Sequence, residues 1–470
     1  MRLLSRSHRI LRLAQFRGAI AISVAACSSS TPASSPRPAG PPTPVATCGI
    51  GGAQPVAGDT LSLATMAPVD WSHVPVPTNA AERLAFAQLY ETLIGVDCEG
   101  RARPGLAASW TLDLTKTRVT VSLRHDAMFW SGKPLTADDV LAVWRRTAAQ
   151  STSSARVARE IASGTTVIDD HTLVISLPDT AWMVLASPTL AVYEQQATAP
   201  WPEGSGPYRI TEQSPPGGFL LMPIASASAP YLVSRLMRTV DPRDAIDAGS
   251  DVLVTGDPTA VAYAAARANL AVEPLPWSRT YALVMPGAAP AIASALLRPD
   301  STSVMLRASL ARDAVRGDAR AAQPPYWWDG SAACGSTLDS LPTPRPGGGR
   351  SNHVVYRRDD AIARGLAERL VALDQHSIAM GLAPNDFARA LRDGGELAYM
   401  LDLSRVSLSP CNDLRDLRSA APWLVAGDST NARILPLIDT RESAIVKRNR
   451  ASATVDWSGT LHFAQRESRP

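Results

Sequence analysis

The segment from Arg118 to Trp144 changes its hydrophobic period, and this change limits the folds open to the chain. From Arg118 to Arg124 the sequence RVTVSLR alternates polar and apolar residues, which predicts a half-buried β-strand. From Phe129 the sequence FWSGKPLTADDVLAVW begins with a Gly-Lys-Pro turn and then places apolar residues at helical spacing. A strand and a helix in such close succession predict a mixed α/β or α+β protein.

The same junction contains residues that could suggest catalysis. Asp138 and Asp139 are adjacent, but neighbouring residues of a helix point about 100° apart, so the two carboxylates would share a site poorly. Lys133 follows a Gly, yet the upstream Gly of a phosphate loop is absent and Pro134 comes next. We therefore interpret Thr136 as the N-cap of the helix, with the two acidic residues complementing the helix dipole.

Other segments predict further helices and strands. Residues 79–94 predict a helix that Asn79 can cap, and residues 166–168 and 173–177 predict the two strands of a hairpin. Helical spacing predicts additional helices at 304–315, 359–373 and 386–395. The chain has 470 residues, too many for one hydrophobic core, so we expect two or three lobes.

The N-terminal segment has the composition of a secretory signal. It carries five Arg residues and no acidic residue, followed by a short apolar run at residues 18–26. That run is shorter than the roughly 20 apolar residues that span a bilayer. The sequence VAAC at residues 24–27 resembles a bacterial lipobox, so we expect residues 1–26 to be a lipoprotein signal peptide and Cys27 to be lipidated. The alternative is an ordinary Ala-x-Ala cleavage site beside an incidental Cys.

Residues 27–49 are rich in Ser and Pro and contain only one large apolar residue, Val45. Such a segment cannot bury enough surface to offset its ordering entropy. We interpret it as a semi-extended tether that holds the folded body away from the lipid anchor.

A specific order of motifs runs from Leu89 to Trp144. It consists of Tyr-Glu-Thr-Leu at 90–93, Glu-Gly at 99–100, Pro-Gly-Leu-Ala-Ala-Ser-Trp at 104–110, Leu-Arg at 123–124 and Phe-x-x-Gly-x-Pro-Leu-Thr-Ala-x-Asp-Val at 129–140. This order resembles the family 5 extracellular solute-binding proteins, the peptide- and nickel-binding receptors of ABC importers. Weaker matches follow in family order at 204–208, 307–313 and 367–370.

The resemblance implies an α/β fold of the periplasmic-binding-protein-like type II class, with two lobes, a ligand cleft and a hinge. We expect lobe I to comprise residues 50–285 plus 426–470, and lobe II residues 286–425. The chain is short for the family. A Pro/Gly-rich loop at 339–352 stands where family members have a further helix in the second lobe.

Cysteine and charge content limit the disulfides, cofactors and partners that we expect. Removing Cys27 leaves four of the five Cys residues, which allow three pairings in an oxidising compartment. We favour the pairs that each lie within one lobe, namely Cys48 with Cys98 and Cys334 with Cys411. No Cys-x-x-Cys spacing occurs, so we expect no metal and no cofactor. Loss of the signal changes the formal charge of +3 to about −2, and no basic block with interleaved aromatics occurs, so we expect no nucleic-acid partner.

Six residues are candidates for ligand contact. They are Trp71, Tyr326, Trp327, Trp328, Asp402 and Arg405. A solute receptor needs stacking surfaces, which the four aromatic residues could supply, although each alone is more often structural. Peptide-binding relatives commonly carry an Asp near a Trp that pairs with the peptide α-amine. Here Asp402 lies in the corresponding segment without a Trp-x-x-Asp motif, and the cationic Arg405 is close by, so an anionic or neutral ligand fits as well.

These observations predict a lipid-anchored solute-binding protein on the extracytoplasmic face of the cell membrane. It would deliver a peptide or similar small solute to an ABC permease and act as a monomer. Neither His-Glu-x-x-His nor Gly-x-Ser-x-Gly occurs, so we expect no catalytic residue and no enzyme. The alternative is a cell-envelope scaffold or regulatory lipoprotein on the same fold that no longer transports. A hydrolase is a third hypothesis, which no motif supports.

Overall fold

Two large mixed β-sheets organise the protein, and the chain crosses between them twice. In this computed structural model the described residues belong to one compact unit, Thr47–Pro470. They are residues 48–51, 59–150, 153–177, 182–195, 201–211, 214–224, 229–237, 241–286, 296, 301–315, 318–324, 326, 351–373, 376–403, 410–424 and 433–464.

The described helices and strands alternate along the chain. The helices are α1 (Ala80–Leu89), α2 (Ala137–Ala148), α3 (Ser153–Ser163), α4 (Arg243–Asp247), α5 (Pro258–Ala265), α6 (Ser301–Ala314), α7 (Ala361–Ala372), α8 (Pro384–Asp393) and α9 (Pro410–Ala420). Short 3₁₀ turns lie at Trp71–His73, Trp182–Ala186 and Pro188–Leu190. The strands are β1 (Gly49–Gly51), β2 (Thr60–Thr65), β3 (Ile94–Val96), β4 (Ala102–Pro104), β5 (Ala107–Leu112), β6 (Arg118–Leu123), β7 (Thr165–Asp169), β8 (Thr172–Ser176), β9 (Tyr193–Glu194), β10 (Glu203–Gly204), β11 (Tyr208–Ile210), β12 (Leu220–Pro223), β13 (Tyr231–Leu236), β14 (Val252–Thr255), β15 (Leu270–Pro274), β16 (Arg279–Met285), β17 (Ala319–Ala321), β18 (His353–Arg357), β19 (Ile378–Leu382), β20 (Ala398–Asp402), β21 (Arg433–Thr440), β22 (Ser443–Lys447), β23 (Ser452–Val455) and β24 (Leu461–His462).

The first large sheet has seven strands in the order β11-β12-β13-β2-β14-β22-β15. Strands β13 and β14 run parallel to β2 on its two sides, whereas β22 is antiparallel to β14 and β15. Leu61 and Leu63 of β2 enter one hydrophobic cluster and Ala64 enters another. The central strand is therefore covered on both faces, as expected for parallel strands.

The second large sheet has six strands in the order β17-β21-β16-β20-β18-β19. The chain enters it between β15 and β16, through residues 275–278, and leaves it between β21 and β22, through residues 441–442. Strands 279–285 and 433–440 thus pair within the sheet of the proposed second lobe. The two-lobe division stays a proposal. The sequence places its boundaries at residues 285 and 426, whereas the strand pairing places the crossings at residues 275–278 and 441–442.

A smaller antiparallel sheet, β5-β6-β8-β7, contains the elements that the sequence predicted most directly. Val119, Val121 and Leu123 of β6 are buried while their neighbours are exposed, which confirms the predicted alternation. The predicted hairpin is formed by β7 and β8, with Thr166 opposite Val174.

Thr136 caps α2, and this prediction is confirmed. Its hydroxyl accepts a hydrogen bond from the backbone N–H of Asp139, and the Asp139 carboxylate accepts one from the backbone N–H of Thr136 at 3.0 Å. This reciprocal pair satisfies two otherwise unpaired donors. Val140 and Trp144 are completely buried on the opposite side, so the junction is a structural element.

The helix predicted for residues 79–94 is shorter than expected. Asn79 does cap it, but α1 ends at Leu89 and the apolar residues that continue the pattern lie in extended chain leading to β3. Leu93 is completely buried there, so tertiary packing takes over from helical periodicity. The helices predicted at 304–315, 359–373 and 386–395 are present as α6, α7 and α8, the last ending at Gly394 in the left-handed conformation.

A disulfide joins Cys48 to Cys98, the first of the two favoured pairs. It ties the start of the described chain to the segment after β3. The second pair cannot be placed, because Cys334 and the side chain of Cys411 lie outside the described residues. The same holds for the signal peptide, for Cys27, for the tether up to residue 47 and for most of the loop at 339–352. None of the helices in the described part of the chain combines the length and apolar character that a membrane span requires.

Candidate ligand-binding site

The order of the parallel strands in the second sheet marks the position where a ligand crevice is expected. The chain runs from β18 through α7 to β19 on one side, and then through α8 to β20 on the other side of β18. Residues of α7 pack with Val354, and residues of α8 pack with Val355, so the two helices cover opposite faces. Such a reversal of strand order opens a crevice at the carboxyl ends of the strands. Here that position lies between the ends of β18 and β20.

This crevice opens toward the two crossings between the sheets. Strand β20 is antiparallel to β16, so Asp402 at its end lies opposite Tyr281, just after the first crossing. In the first sheet, Thr255 at the end of β14 lies opposite Ser443, just after the second crossing. The carboxyl ends of parallel strands in both sheets therefore meet the same two connecting segments. This arrangement supports a ligand site between the sheets.

Charged side chains converge at this position from four elements. Arg279 opens β16, Asp402 ends β20, Asp360 precedes α7, and Glu442 lies in the second crossing. The Arg279 guanidinium is 3.7 Å from the Glu442 carboxylate, and the Tyr281 hydroxyl lies 3.3 Å from both oxygens of Asp360. Three of these four groups are carboxylates and one is a guanidinium. A second guanidinium, that of Arg357, also belongs to this position, because hydrogen bonding to Asp359, together with the charges of Asp360 and Asp402, raises its pKa.

The electrostatic environment fixes two protonation states. Burial lowers the pKa of Arg279, but the carboxylates, first that of Glu442 and then that of Asp402, outweigh this effect and hold the pKa above its usual value. Burial, reinforced by Asp402, raises the pKa of the Tyr281 hydroxyl. Tyr281 therefore stays protonated and can donate to Asp360.

Two acidic residues at this position already accept hydrogen bonds from nearby residues. Oδ1 of Asp360 accepts hydrogen bonds from the backbone N–H groups of Ile362 and Ala363 at 3.0 and 2.9 Å, as the N-cap of α7. Asp359 accepts two hydrogen bonds from the Arg357 guanidinium, at 3.1 and 2.6 Å. These acids shape the rim of the crevice and are held by their own partners.

The two crossings are also fastened to the second sheet. Trp277 lies in the first crossing, and the guanidinium carbons of Arg320 and Arg441 are each 4.4 Å from its ring centroid. Arg320 donates to Asp439 at 3.2 Å, and Arg441 in the second crossing donates to Asp318 at 2.9 Å. One indole thereby connects both segments on which the sheets could pivot.

The structure places three of the six predicted contact residues, and only one of them lies at the crevice. Asp402 is exposed at the end of β20. Trp71 packs on the first core, 5.9 Å from the ring of Phe86 and 6.3 Å from that of Trp201. Tyr326 packs on the face of the second sheet that α8 covers, and its hydroxyl donates to the carbonyl of Ala322 at 3.1 Å. Trp327, Trp328 and Arg405 lie outside the described residues.

Sequence reasoning missed Arg279, Tyr281, Asp360 and Glu442. The Asp-Asp pair before α7 was a readable N-cap signal, but nothing local identifies Arg279 or Glu442, which meet only through strand pairing. In the described part of the chain, no group of three or more His, Cys, Asp or Glu residues has an arrangement that could hold a metal ion.

Comparison with known proteins gives the family of one segment of the chain. Residues 101–221 match the family described as bacterial extracellular solute-binding proteins, family 5 middle. The chain carries a family 5 solute-binding segment. The resemblance inferred from the motifs at 89–144 is thereby confirmed.

Curated proteins match the chain over short stretches. The periplasmic oligopeptide-binding protein OppA of Haemophilus influenzae is 42% identical over 59 residues, which is 13% of this chain and 11% of that protein. A second curated relative is aligned over 20% of its length. The chain therefore aligns with only a small part of the curated relatives it matches.

Solved structures with a similar fold cover most of the chain. The peptide-bound DppA from Helicobacter pylori superposes with a TM-score of 0.59 at 13% identity, covering 87% of this chain and 99% of that one. NikA from Brucella suis, in complex with Fe(III)-EDTA, superposes with a TM-score of 0.55 at 15% identity, covering 83% and 95%. The fold is that of the type II periplasmic binding proteins, as predicted.

Proposed function

We propose that the protein is an extracytoplasmic solute-binding protein that delivers its ligand to an ABC permease. The observation that carries this proposal is the position of the polar crevice, at the strand reversal and beside both crossings, in a chain with a family 5 segment. A ligand bound there would contact both sheets. It would therefore favour the conformation in which the sheets approach each other.

The ligand we propose is a short peptide or a similar small solute. DppA from Helicobacter pylori is described with the peptide STSA, and NikA from Brucella suis with Fe(III)-EDTA, so a peptide and a metal chelate are the two ligands to compare first. Trp71, Tyr326, Trp327, Trp328 and Arg405 stay predictions as contact residues.

We further propose that Cys27 is lipidated and holds the protein on the outer face of the cell membrane. The supporting observations are the Arg-rich segment, the short apolar run and the lipobox-like sequence at 24–27. Metabolic labelling with a palmitate analogue tests this. Labelling that disappears in Cys27→Ser supports the anchor, and labelling that persists in Cys27→Ser contradicts it.

Direct binding tests the receptor function. The purified protein is stripped of bound solute by reversible unfolding and titrated calorimetrically with peptides of two to five residues, nickel chelates and sugars. We expect one class to bind with a stoichiometry of one and to raise the melting temperature. Native mass spectrometry of gently purified material would identify a retained solute. If no class binds, the scaffold hypothesis replaces the receptor, and turnover without stoichiometric binding would indicate an enzyme.

A further inference from the structure

Four charged side chains join two helices that pack on different sheets. Nη2 of Arg156 on α3 lies 3.0 Å from Oδ1 of Asp416 on α9, and Nη1 of Arg415 on α9 lies 3.2 Å from Oε1 of Glu160 on α3. The other terminal nitrogen of Arg156 lies 3.7 Å from the same oxygen of Glu160. Each helix therefore supplies one cation and one anion, and we call these four residues the α3–α9 cluster.

Apolar packing holds each helix to its own sheet. Val157 and Ile161 of α3 belong to the hydrophobic cluster of the first large sheet, whereas Leu414 of α9 belongs to a cluster of the second. Trp423, just after α9, stacks on Tyr399 of β20 with the ring centroids 5.7 Å apart. Among the described residues, no hydrophobic cluster contains buried side chains from both helices. The two helices can therefore separate without exposing a shared core.

The α3–α9 cluster is remote in sequence from both covalent connections between the sheets. The crossings occupy residues 275–278 and 441–442, whereas α3 ends at Ser163 and α9 ends at Ala420. The sheets are thus joined by two chain segments and, at a further position, by charges. When two bodies pivot on their connecting segments, contacts away from the pivot open as the bodies move apart.

The charges of the α3–α9 cluster are accessible enough for salt to weaken them. The exposed fractions of the side chains are 16% for Arg415, 26% for Arg156, 31% for Glu160 and 54% for Asp416. One exposed ion pair contributes little, but these pairs share Arg156 and Glu160 and form a small network. Such a network can shift an equilibrium between two conformations by about 3- to 10-fold, and salt screens it.

We infer that the α3–α9 cluster is a salt-sensitive latch that biases the ligand-free protein toward the conformation in which the two sheets approach each other. The latch acts without ligand and adds to the closure that ligand contacts favour. It therefore slows the release of a bound solute. This inference rests on the proposed solute-binding function and adds control of ligand exchange to it.

The first test measures the ligand-free protein and needs no solute. The protein, stripped of bound solute, is studied by small-angle X-ray scattering at about 20 mM and about 0.5 M NaCl. We expect the radius of gyration of wild type to rise with salt. The double variant Arg156→Gln with Arg415→Gln should have the larger radius already at low salt and should not respond to salt. Glu160→Gln with Asp416→Asn removes the anions of the same cluster and should behave in the same way.

The second test measures solute release. Dissociation of alanine tripeptide is followed by stopped-flow tryptophan fluorescence. We expect release to be about 3- to 10-fold faster from either double variant than from wild type at low salt, and the difference to shrink at about 0.5 M NaCl. Lysine at both Arg156 and Arg415 keeps the charges and should preserve most of the salt response.

A matched control removes two cations elsewhere. Arg209 is exposed on β11 and Arg312 is 75% exposed on α6. Arg209→Gln with Arg312→Gln changes the net charge as the first double variant does, and it should keep the radius, the salt response and the release rate of wild type.

The outcomes separate the latch from the receptor. A wild-type radius that ignores salt, or cluster variants that match wild type at low salt, would overturn the latch while the receptor stands. Opposite changes in the two double variants would also overturn it, because an ionic latch is lost in both. If alanine tripeptide fails to bind wild type, the proposed peptide ligand is contradicted, and the scattering of the ligand-free proteins still decides the latch.

Discussion

Arg156 on α3 donates a hydrogen bond to Asp416 on α9 at 3.0 Å, although 260 positions separate the two residues. Arg415 on α9 donates in return to Glu160 on α3 at 3.2 Å. Helix α3 packs into the hydrophobic cluster of the first large sheet, and α9 packs into a cluster of the second. This reciprocal set of charges therefore joins elements that belong to different sheets.

The ion pairs between α3 and α9 predict a salt-dependent coupling. Arg156 is 26% and Asp416 is 54% exposed, so solvent screens the pair and its contribution stays small. We expect a coupling of about 0.5–1 kcal/mol between Arg156→Glu and Asp416→Arg at low salt, falling toward zero at about 0.5 M NaCl. Urea denaturation of both single variants and the double variant measures it. Arg209→Glu, at an exposed position, is the control. A coupling free energy that does not change with salt concentration would contradict an ionic origin.

A pH-dependent contact holds the segment before α1. Nδ1 of His73 lies 2.9 Å from Oε1 of Glu82, whose carboxylate also accepts hydrogen bonds from the backbone N–H groups of Asp70 and Thr78. Hydrogen bonding to Glu82 raises the pKa of His73. Burial alone would raise the pKa of Glu82, but hydrogen bonds, first from the backbone of Thr78, lower it below its usual value.

The direction of these shifts gives the expected pH profile. A histidine whose pKa is raised by folding stabilises the protein below its unfolded pKa of about 6.5, and this contribution is lost as the pH rises through the folded pKa. The melting temperature of wild type should therefore exceed that of His73→Gln most at about pH 6 and least at about pH 8. A difference that grows as the pH rises would contradict the assigned direction.

Short-range features of this fold can be predicted from the sequence, whereas the order of its strands cannot. The cap at Thr136, the alternation in β6 and the hairpin of β7 and β8 are short-range features, and all three could be read from neighbouring residues. The end of α1 could not, because the apolar spacing continues to Leu93 while packing requires extended chain. The crevice depends on β18 lying between β19 and β20. Strand order of this kind is set by contacts far apart in sequence, so the motif at 89–144 gave the fold class but not the site.

A buried carboxylate connects three strands of the first sheet. Asp251 accepts hydrogen bonds from the backbone N–H of Ser62 at 2.9 Å, from its hydroxyl at 3.0 Å and from Nζ of Lys447 at 3.1 Å. Burial raises the pKa of Asp251, but these hydrogen bonds outweigh it and hold the pKa below its usual value. The carboxylate thus stabilises the fold above its unfolded pKa of about 3.9, and this contribution is lost as the pH falls through the folded pKa.

Removal of this carboxylate should be costly. Asp251→Ala leaves the donors of Ser62 without their acceptor and removes the carboxylate from the ammonium of Lys447, which keeps only the carbonyl of Gly249 at 2.7 Å. We therefore expect a loss of about 3 kcal/mol in the free energy of unfolding. Asp251→Asn keeps the shape and should lose less. Urea denaturation at neutral pH checks both values. Asp244→Ala, at an exposed position of α4, is the control. If Asp251→Ala loses as little free energy of unfolding as Asp244→Ala, the network contributes little.

The indole of Trp277 contacts two guanidinium groups, and we expect an energetic coupling between the ring and these cations. The guanidinium carbons of Arg320 and Arg441 are each 4.4 Å from its ring centroid, and each guanidinium is held in place by an aspartate, Asp439 or Asp318. A cation over a partly exposed ring contributes about 0.5–1 kcal/mol. Trp277→Leu should therefore lose about 1–3 kcal/mol, because it removes two such contacts and part of the buried ring area, and Trp277→Phe should lose less.

The cation–π origin of this effect can be separated from packing. In a double-mutant cycle, Trp277→Leu and Arg441→Leu should couple by about 0.5–1 kcal/mol in urea denaturation. Trp277→Phe keeps an aromatic face and should preserve most of that coupling. If Phe and Leu destabilise equally, or if the coupling vanishes, packing alone accounts for Trp277. A retained coupling would show that charge on one crossing stabilises the aromatic ring on the other, so that the two connections between the sheets respond together when the sheets move.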